Sequence, residues 1–465
     1  MSSLDTAKAI EQLNVLAAQT QDPAIQELAS VLGDAISVGN ISNATGVAVG
    51  RNIRQVINNF NLPHEAVAAL LDLRQMLGKA LYKDTGYYHL GTIIADKARD
   101  FVGRDYVFEA IDQFLESQPN GYFSIIGPPG LGKTAIIAEY LRRKGCIAHF
   151  NVRALGVTNA RQFLENVCTQ LIIDSQLPHA SLPANALQDG AFLLKLLYEA
   201  GQKLAPGDRI VILVDALDEA ELGGNPPGAN VLFLPKTLPQ GVYFVMTRRP
   251  ASVPLVVEAP HQSLDLMAHS TENRDDIESY LRRTVKRPAL HSWINVQGLS
   301  APDFVTKLAD LSESNFMYLR YVLPEIEGGA YQSLSIEKLP SGLEGYYEDH
   351  WRQMGMTAKP LPRIKIRIVY ILCEVRQPVS RKLLSEFASD QAISVDELTV
   401  QEVLDEWRQF LLDQRAPEGA RYGVYHSSFR DFLHRKDIVQ AVGVTIKDIN
   451  ALIANNLWDE LFGQN

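Results

Sequence analysis

The chain has few cysteines and no long apolar segment, and each deficiency excludes a class of protein. Its three cysteines, Cys146, Cys168 and Cys373, lie far apart without ligand-like spacing, so neither a disulfide framework nor a zinc site is expected. No run approaches the roughly 18 apolar residues that span a bilayer, and the N-terminus lacks a basic region followed by an apolar core. We therefore expect a protein of the reducing cytoplasm without a membrane span.

Positive charge and internal repeats are also scarce. The formal net charge is -10, with 21% charged residues, which disfavours broad nonspecific contact with nucleic acid or anionic membranes. No repeat of solenoid or propeller period is present. The chain does have length and apolar content: 465 residues predict about three domains, and 46% hydrophobic residues suffice to fill their cores.

The most informative stretch is an apolar segment followed by a glycine-rich turn and a segment of helical periodicity. Residues 122–126 are β-rich, and residues 135–141 repeat apolar side chains at helical spacing. The turn between them fits G-x-x-x-x-G-K-[ST] and consists of Gly127, Pro128, Pro129, Gly130, Leu131, Gly132, Lys133 and Thr134. Its glycines let backbone N–H groups surround an anionic oxygen. We predict a phosphate-binding loop, with Lys133 on the β/γ-phosphates and Thr134 on Mg²⁺; the residues alone leave ATP and GTP open as the nucleotide.

Further short apolar runs predict the rest of a nucleotide-binding domain at 99–270. Strands are expected at 147–152, 210–214 and 242–246, each bounded by turn residues and separated by helical stretches. Such alternation indicates βαβ units. The predicted fold class is therefore an α/β P-loop NTPase core built on a parallel sheet.

Charged side chains follow two of these strands. Asp215 comes where the strand at 210–214 ends, and a neighbouring parallel strand would bring it beside Thr134 and the metal. Asp218 and Glu219 come next and are expected to polarise an attacking water. After the strand at 242–246 the chain reads Thr247, Arg248, Arg249 and Pro250, and a guanidinium at this tip suits a sensor of the γ-phosphate.

The flanking regions are predicted to be mostly helical. Residues 1–98 read as a small helical module with a β-like insert at 38–60, which is either a plain hairpin or loop, or a segment able to stack as cross-β. Residues 271–345 read as a helical domain. Residues 346–437 give three helices and then two short strands, which is the order of a winged helix, and 438–465 form a C-terminal tail.

The motifs together resemble those of a known family. The segments 102–104, 127–134, 214–220 and 247–250 look like the NACHT branch of the STAND signalling P-loop NTPases, which includes the NLR-like proteins. The resemblance implies a slow ATP hydrolase that binds ATP or ADP with Mg²⁺ and forms a homo-oligomer on activation. It also implies a role in innate defence or regulated cell death, with the N-terminal module relaying the signal to a downstream effector protein.

The same resemblance implies roles for single residues. Val102, Gly103 and Arg104 would line the adenine side, Asp215 would hold the metal and Arg249 would sense phosphate. His426, in the late motif at 424–433, would donate to the β-phosphate of ADP and hold a closed state.

Two residues depart from the family pattern. Phe316 stands about where many relatives carry an adenine-contacting proline, and Arg248 replaces the small hydroxyl residue often found before the sensor arginine. Such switches also usually end in a long repeat sensor, whereas this sequence stops soon after residue 462. Either the sensor is missing from this chain or the protein senses differently.

Two other functions compete with the signalling switch. A transcription regulator would read DNA with its winged helix, and the basic residues that favour this alternative are Lys359, Arg363, Lys365, Arg367, Arg376, Arg381 and Lys382. A housekeeping ATPase that remodels other proteins is the third possibility, but no second catalytic signature supports it.

Overall fold

A computed structural model describes residues 67, 70, 71, 90–179, 181–223, 226–251, 253–329, 331, 335–375, 377–390, 393–416 and 419–462. The predicted N-terminal module lies largely outside this part of the chain, and its insert at 38–60 lies wholly outside it. Within the described part, no helix combines the length and apolar content that crossing a bilayer requires.

The chain divides into two compact units. The first takes in the described residues up to Pro128, Gly132–Asn151 and Thr158–Asp276, and the second takes in Pro129–Leu131, Val152–Val157 and the described residues from Ile277 onward. Each unit is described by itself.

The first unit combines helices with strands, and among the described residues helices separate the first three strands in sequence, as βαβ units require. Its helices are α1 (Leu90–Lys97), α2 (Asp105–Ser117), α3 (Lys133–Lys144), α4 (Ala160–Asp174), α5 (Ala191–Gly201) and the start of α6 (Ser270–Thr284). Its strands are β1 (Gly121–Ile126), β2 (Ile147–Phe150), β3 (Ile210–Asp215), β4 (Val242–Arg248) and β5 (His261–Asp265).

Among the described residues, the strands of the first unit form one five-stranded sheet in the order β2-β3-β4-β1-β5, and every pairing in it is parallel. The predicted parallel α/β sheet is confirmed. β1, β2, β3 and β4 are almost entirely buried, because helices cover both faces of such a sheet. The carboxyl ends of the parallel strands therefore meet at one edge.

The two outer strands differ from the sequence prediction. β2 ends at Phe150 instead of continuing to residue 152, and the amide of Gln170 on α4 covers its outer edge by bonding to both N and O of Ala148, at 3.1 and 2.8 Å. β5 was not predicted. Its side chains at His261, Gln262 and Ser263 are exposed, so the strand lacks the apolar pattern that identified the others.

The second unit contains helices and a small antiparallel sheet. Its helices are the remainder of α6, then α7 (Pro288–Val296), α8 (Ala301–Ser312), α9 (Phe316–Glu327), α10 (Gly342–Gln353), α11 (Arg363–Glu374), α12 (Arg381–Ala388), α13 (Glu397–Glu406), α14 (Ser427–Leu433), α15 (Lys436–Val442) and α16 (Ile446–Phe462). Among the described residues its sheet has three strands in the order β6-β8-β7, formed by β6 (Val379–Ser380), β8 (Gly419–Val424) and β7 (Leu411–Ala416).

One apolar core runs through the second unit from Ile277 to Ile449. Aromatic rings dominate its centre: Phe410 stacks on Phe429 at 4.7 Å between centroids, and Tyr321 stacks on Tyr346 at 5.2 Å. Because α9, α10, α14 and Phe410, which immediately precedes β7, all contribute to this cluster, the regions predicted separately at 271–345 and 346–437 share a core.

Candidate active site

The predicted phosphate-binding turn joins β1 to α3 at the carboxyl edge of the sheet. Gly130 and Gly132 have φ of 87° and 83°, a left-handed conformation that glycine adopts without steric cost. Gly132 is the N-cap of α3, so the first N–H groups of the helix and its positive dipole end face the turn. The backbone thus has the features of an anion site.

Lys133 is the first residue of α3, and its side chain folds back over the turn. Its Nζ donates to Gly127 O at 2.6 Å and to Pro128 O at 2.9 Å. Burial lowers the pKa of Lys133 to about 8, against the opposing effect of Asp218 and Asp215. A desolvated ammonium whose hydrogen bonds, among the described residues, go to carbonyl oxygens has much to gain from an anion in the same turn.

The carboxylate of Asp215 is held between two hydroxyl groups at the end of β3. Thr134 Oγ1 donates to Oδ2 at 2.8 Å, and Thr247 Oγ1 donates to Oδ1 at 2.5 Å. Asp215 is 2% exposed, and burial raises its pKa, while hydrogen bonds from Thr247 and Thr134 act in the opposite direction. The predicted pairing of Asp215 with Thr134 is therefore present in the structure.

The strand order differs from the one predicted for this pairing. β3 is not the neighbour of β1, because β4 lies between them, with Ile126 opposite Arg248 and Val214 opposite Met246. The intervening strand supplies Thr247, whose hydroxyl also accepts a hydrogen bond from Ala216 N at 2.8 Å. Sequence reasoning named Thr247 only as part of a strand tip and missed its contact with the acidic residue.

A second polar residue that the sequence did not single out is Asn151, just beyond β2. Both its backbone N and its Nδ2 donate to Asp215 O, at 3.3 and 2.8 Å. A polar side chain at the carboxyl end of a buried strand was the available signal, but residue 151 fell inside the predicted strand. Asn151 thus holds the main chain of Asp215 in place, and Thr247 holds its side chain.

The acidic pair and the arginine also meet at this edge. Arg249 N donates to Asp218 Oδ1 at 2.9 Å, its Nε lies 3.1 Å from Asp218 Oδ2, and its Nη2 lies 4.0 Å from Glu219 Oε1. Arg248 turns instead onto its own loop and donates to Ala251 O at 3.0 Å. The guanidinium closest to the predicted water-orienting residues therefore belongs to Arg249.

The segment at 102–104 precedes α2, and its arginine has a structural role. Gly103 and Arg104 both have positive φ, of 65° and 64°. The Arg104 side chain is 2% exposed and donates to Asn273 Oδ1, while its Nε lies 3.5 Å from Asp276 Oδ2. Its guanidinium thus links the residue that precedes α2 to the first half of α6 through a hydrogen bond and an ion pair. The predicted adenine contact of Val102, Gly103 and Arg104 stays a prediction.

Pro129–Leu131, the tip of the turn, belong to the second unit together with the start of α9. Asn315 Nδ2 donates to Pro129 O at 3.2 Å, and Phe316 N donates to Gly130 O at 3.0 Å. Phe316, the residue that departs from the family pattern, thus contacts the turn through its backbone.

His426 lies in the second unit, where it is the N-cap of α14. Ser428 N donates to His426 Nδ1 at 3.2 Å. Since Nδ1 accepts this hydrogen bond, the neutral imidazole carries its proton on Nε2. His426 is accordingly a hydrogen-bond donor through Nε2.

No protein-family model and no curated protein matches the chain. Solved structures that resemble it include a Walker-type ATPase of Pyrococcus abyssi, with 10% identity, a TM-score of 0.36 and coverage of 73% of this chain and 97% of that one. The structure of Drosophila ORC bound to DNA shares 13% identity with a TM-score of 0.28, and the match covers 77% of this chain and 99% of that one. A mutant of Thermotoga maritima RuvB shares 14% identity with a TM-score of 0.28, and the match covers 72% of this chain and 96% of that one. Likenesses this weak carry no argument. The chain's own sheet order and the turn between β1 and α3 are those of an α/β P-loop NTPase fold.

Proposed function

We propose that the chain is a STAND signalling NTPase of the NACHT type, which hydrolyses ATP slowly and uses its nucleotide state to control self-association. One observation carries the proposal: the hydroxyl of Thr134, the carboxylate of Asp215 and the Arg249–Asp218 ion pair all converge on the edge of the sheet at which Lys133 begins α3. A phosphate-binding turn alone would predict nucleotide binding, whereas this set also supplies the groups that hydrolysis requires.

The residues present fit Mg²⁺. A hydroxyl and a carboxylate oxygen lie 2.8 Å apart at Thr134 and Asp215, and oxygen ligands of these kinds, completed by water and phosphate, are what Mg²⁺ prefers. When bound, the ion would neutralise charge on the phosphate oxygens. Asn151 and Thr247 would keep Asp215 oriented towards it.

The chain's own residues would perform the remaining tasks. Lys133 would exchange its hydrogen bonds to the carbonyl oxygens of Gly127 and Pro128 for hydrogen bonds to phosphate oxygens. Its ammonium group would then be paired with an anion. Glu219 would orient the attacking water and accept its proton, and Arg249 would move from Asp218 to the γ-phosphate, where charge develops.

The switch itself would depend on the C-terminal part of the chain. We infer that residues 346–437 form a winged helix and that His426 donates from Nε2 to the β-phosphate of ADP. The tautomer set by Ser428 N supports this role, because a phosphate contact needs a donor at Nε2. Exchange of ADP for ATP would release this clamp and permit assembly, in innate defence or regulated cell death.

The DNA-binding alternative has less support. Within the described residues, four members of its basic cluster are paired with carboxylates: Lys365 with Glu406 at 2.6 Å, Arg367 with Asp390 at 2.8 Å, Lys382 with Glu386 at 3.7 Å and Arg381 with Glu397 at 4.0 Å. These charges are partly neutralised before any phosphate arrives. Tight binding of duplex DNA with a steep salt dependence would revive that alternative.

The site is tested with a matched pair of lysine variants. Lys133→Ala should remove binding of ATP and ADP with Mg²⁺, measured by calorimetry, because it deletes the cation of the turn. Lys144→Ala, at the exposed end of the same helix, should bind nucleotide as the wild type does. Normal affinity in Lys133→Ala, or an equal loss in both variants, would refute the assignment.

A further inference from the structure

Two loops carry the proposed catalytic groups, and one asparagine outside the site joins them. The acidic loop comprises the described residues 216–223 and 226–235, after β3, and the arginine loop comprises the described residues 249–251 and 253–258, after β4. Asn230, on the acidic loop, is 4% exposed. Its Nδ2 donates to Val256 O at 2.9 Å, and its Oδ1 accepts from Val256 N at 2.7 Å, so one side chain pairs with the arginine loop as a neighbouring strand would.

Main-chain contacts extend this junction. Val231 N donates to Pro254 O at 2.8 Å, and Glu258 N donates to Lys236 O at 2.8 Å just beyond the acidic loop. The two loops are therefore joined over several residues, with the amide of Asn230 at the centre.

The backbone next to Asn230 is strained. Leu232 and Phe233 have φ of 54° and 55°, although neither is glycine, and such conformations persist only when the surroundings hold them. Asn230 Nδ2 also donates to Leu234 O at 2.8 Å and so spans both strained residues. Gly190 packs against the same point, where a Cβ would lie 2.5 Å from Phe233 O. The asparagine thus stabilises a turn that would otherwise relax.

The loops have a second connection at the site itself, through the ion pair of Arg249 with Asp218. The proposed hydrolysis requires Arg249 to turn to the γ-phosphate, which weakens this ion pair. The junction at Asn230 contains none of the groups assigned to nucleotide or water. It therefore persists when the ion pair opens.

We propose that Asn230 is a positioning residue for hydrolysis: it keeps the acidic loop and the arginine loop in register, so that Glu219 and Arg249 hold their relative geometry while Arg249 changes partner. This inference rests on the proposed function. It predicts a defect in turnover and not in nucleotide affinity, because small displacements of catalytic groups act mainly on the chemical step.

The test compares two buried asparagines of the first unit. Asn230→Ala should retain ATP affinity within about twofold and lower kcat about tenfold, with KM little changed. The control is Asn166→Ala: Asn166 on α4 is 2% exposed, donates to Ala148 O and accepts from Gln170 Nε2, and among the described residues it makes no hydrogen bond to either loop. Its kcat should match the wild type. Unchanged kcat in Asn230→Ala, or an equal loss in both variants, would overturn the proposal.

A second pair of variants leaves Asn230 in place, in case its removal prevents folding. Val256→Pro deletes the N–H that donates to Asn230 Oδ1, at a residue that is 63% exposed. Val256→Ala keeps that N–H. Reduced kcat in the proline variant alone supports the proposal, and equal kcat in the two variants contradicts it.

Hydrogen exchange separates this inference from the proposed function. In Asn230→Ala the amides of Val231 and Val256 should exchange faster together, and in Asn166→Ala neither should change. Acceleration on only one loop would show that Asn230 does not couple them. If the wild type bound no ATP, the proposed function would fail, while this measurement would still decide whether the loops are coupled.

Discussion

The contact between Thr247 and Asp215 allows a prediction with a matched control. Thr247→Val keeps the shape of a fully buried side chain and removes its hydroxyl, which donates to Asp215 Oδ1 and accepts from Ala216 N. Thr169→Val makes the same chemical change at a residue that is 3% exposed, where Oγ1 has no hydrogen-bond partner among the described residues. The two variants differ in what the hydroxyl contacts.

The expected cost follows from those contacts. A hydrogen bond to a carboxylate contributes about 2 kcal/mol, and a part-buried amide left without an acceptor costs about 1 kcal/mol. Thr247→Val should therefore destabilise the first unit by about 3 kcal/mol, which is about a hundredfold in the opening equilibrium. Thr169→Val should change stability by less than about 0.5 kcal/mol or increase it, since a buried hydroxyl without a partner is itself unfavourable.

The measurement must report on the first unit. Tryptophan fluorescence would report on unfolding of the second unit, because all four tryptophans lie there: Trp293, Trp351, Trp407 and Trp458. Hydrogen exchange of the β3 amides at Ile210–Asp215 gives the opening free energy directly. Equal effects of the two variants, or a cost below about 1 kcal/mol for Thr247→Val, would refute the role given to the hydroxyl.

Three further predictions concern single side chains. Glu219→Gln should bind ATP normally and lower kcat by at least about a hundredfold, because it removes the proposed base; unchanged turnover would assign that role elsewhere. His426→Ala should weaken ADP binding and promote assembly without ATP, and a variant that stays monomeric with full ADP affinity would argue against the clamp. Burial lowers the pKa of His149 from 6.5 to about 3, so its contribution to stability is complete above pH 6.5 and should fall by up to about 1.4 kcal/mol per pH unit as the pH drops towards 3. Urea unfolding followed by circular dichroism should show this slope in the wild type and lose it in His149→Phe, and parallel slopes would contradict it.

The site residues that the sequence predicted are those fixed by local pattern. Glycines that reach positive φ before a helix, and acidic residues at the end of a buried strand, can be read from a few neighbouring positions, as at Gly132 and Asp215. Parallel strands end at one edge in any order, so Asp215 was placed near Thr134 although β4 separates their strands.

The residues that were missed depend on the order of strands and on contacts distant in sequence. Thr247 meets Asp215 because β4 is inserted between β1 and β3, and no local pattern specifies that insertion. Asn230 bonds to Val256 across two loops, and the only local signal nearby is the turn composition at 223–228, which says nothing about the partner. β5 is exposed and polar, so burial left no periodic signal in its sequence.

The central claim, that nucleotide state controls assembly, is tested most directly by sedimentation velocity of the purified chain with Mg²⁺ in saturating ADP and in saturating ATP. The account predicts a monomer in ADP and a larger, discrete species in ATP, which returns to monomer as ATP is consumed. The same sedimentation coefficient in both nucleotides, with binding of each confirmed by calorimetry, would contradict it.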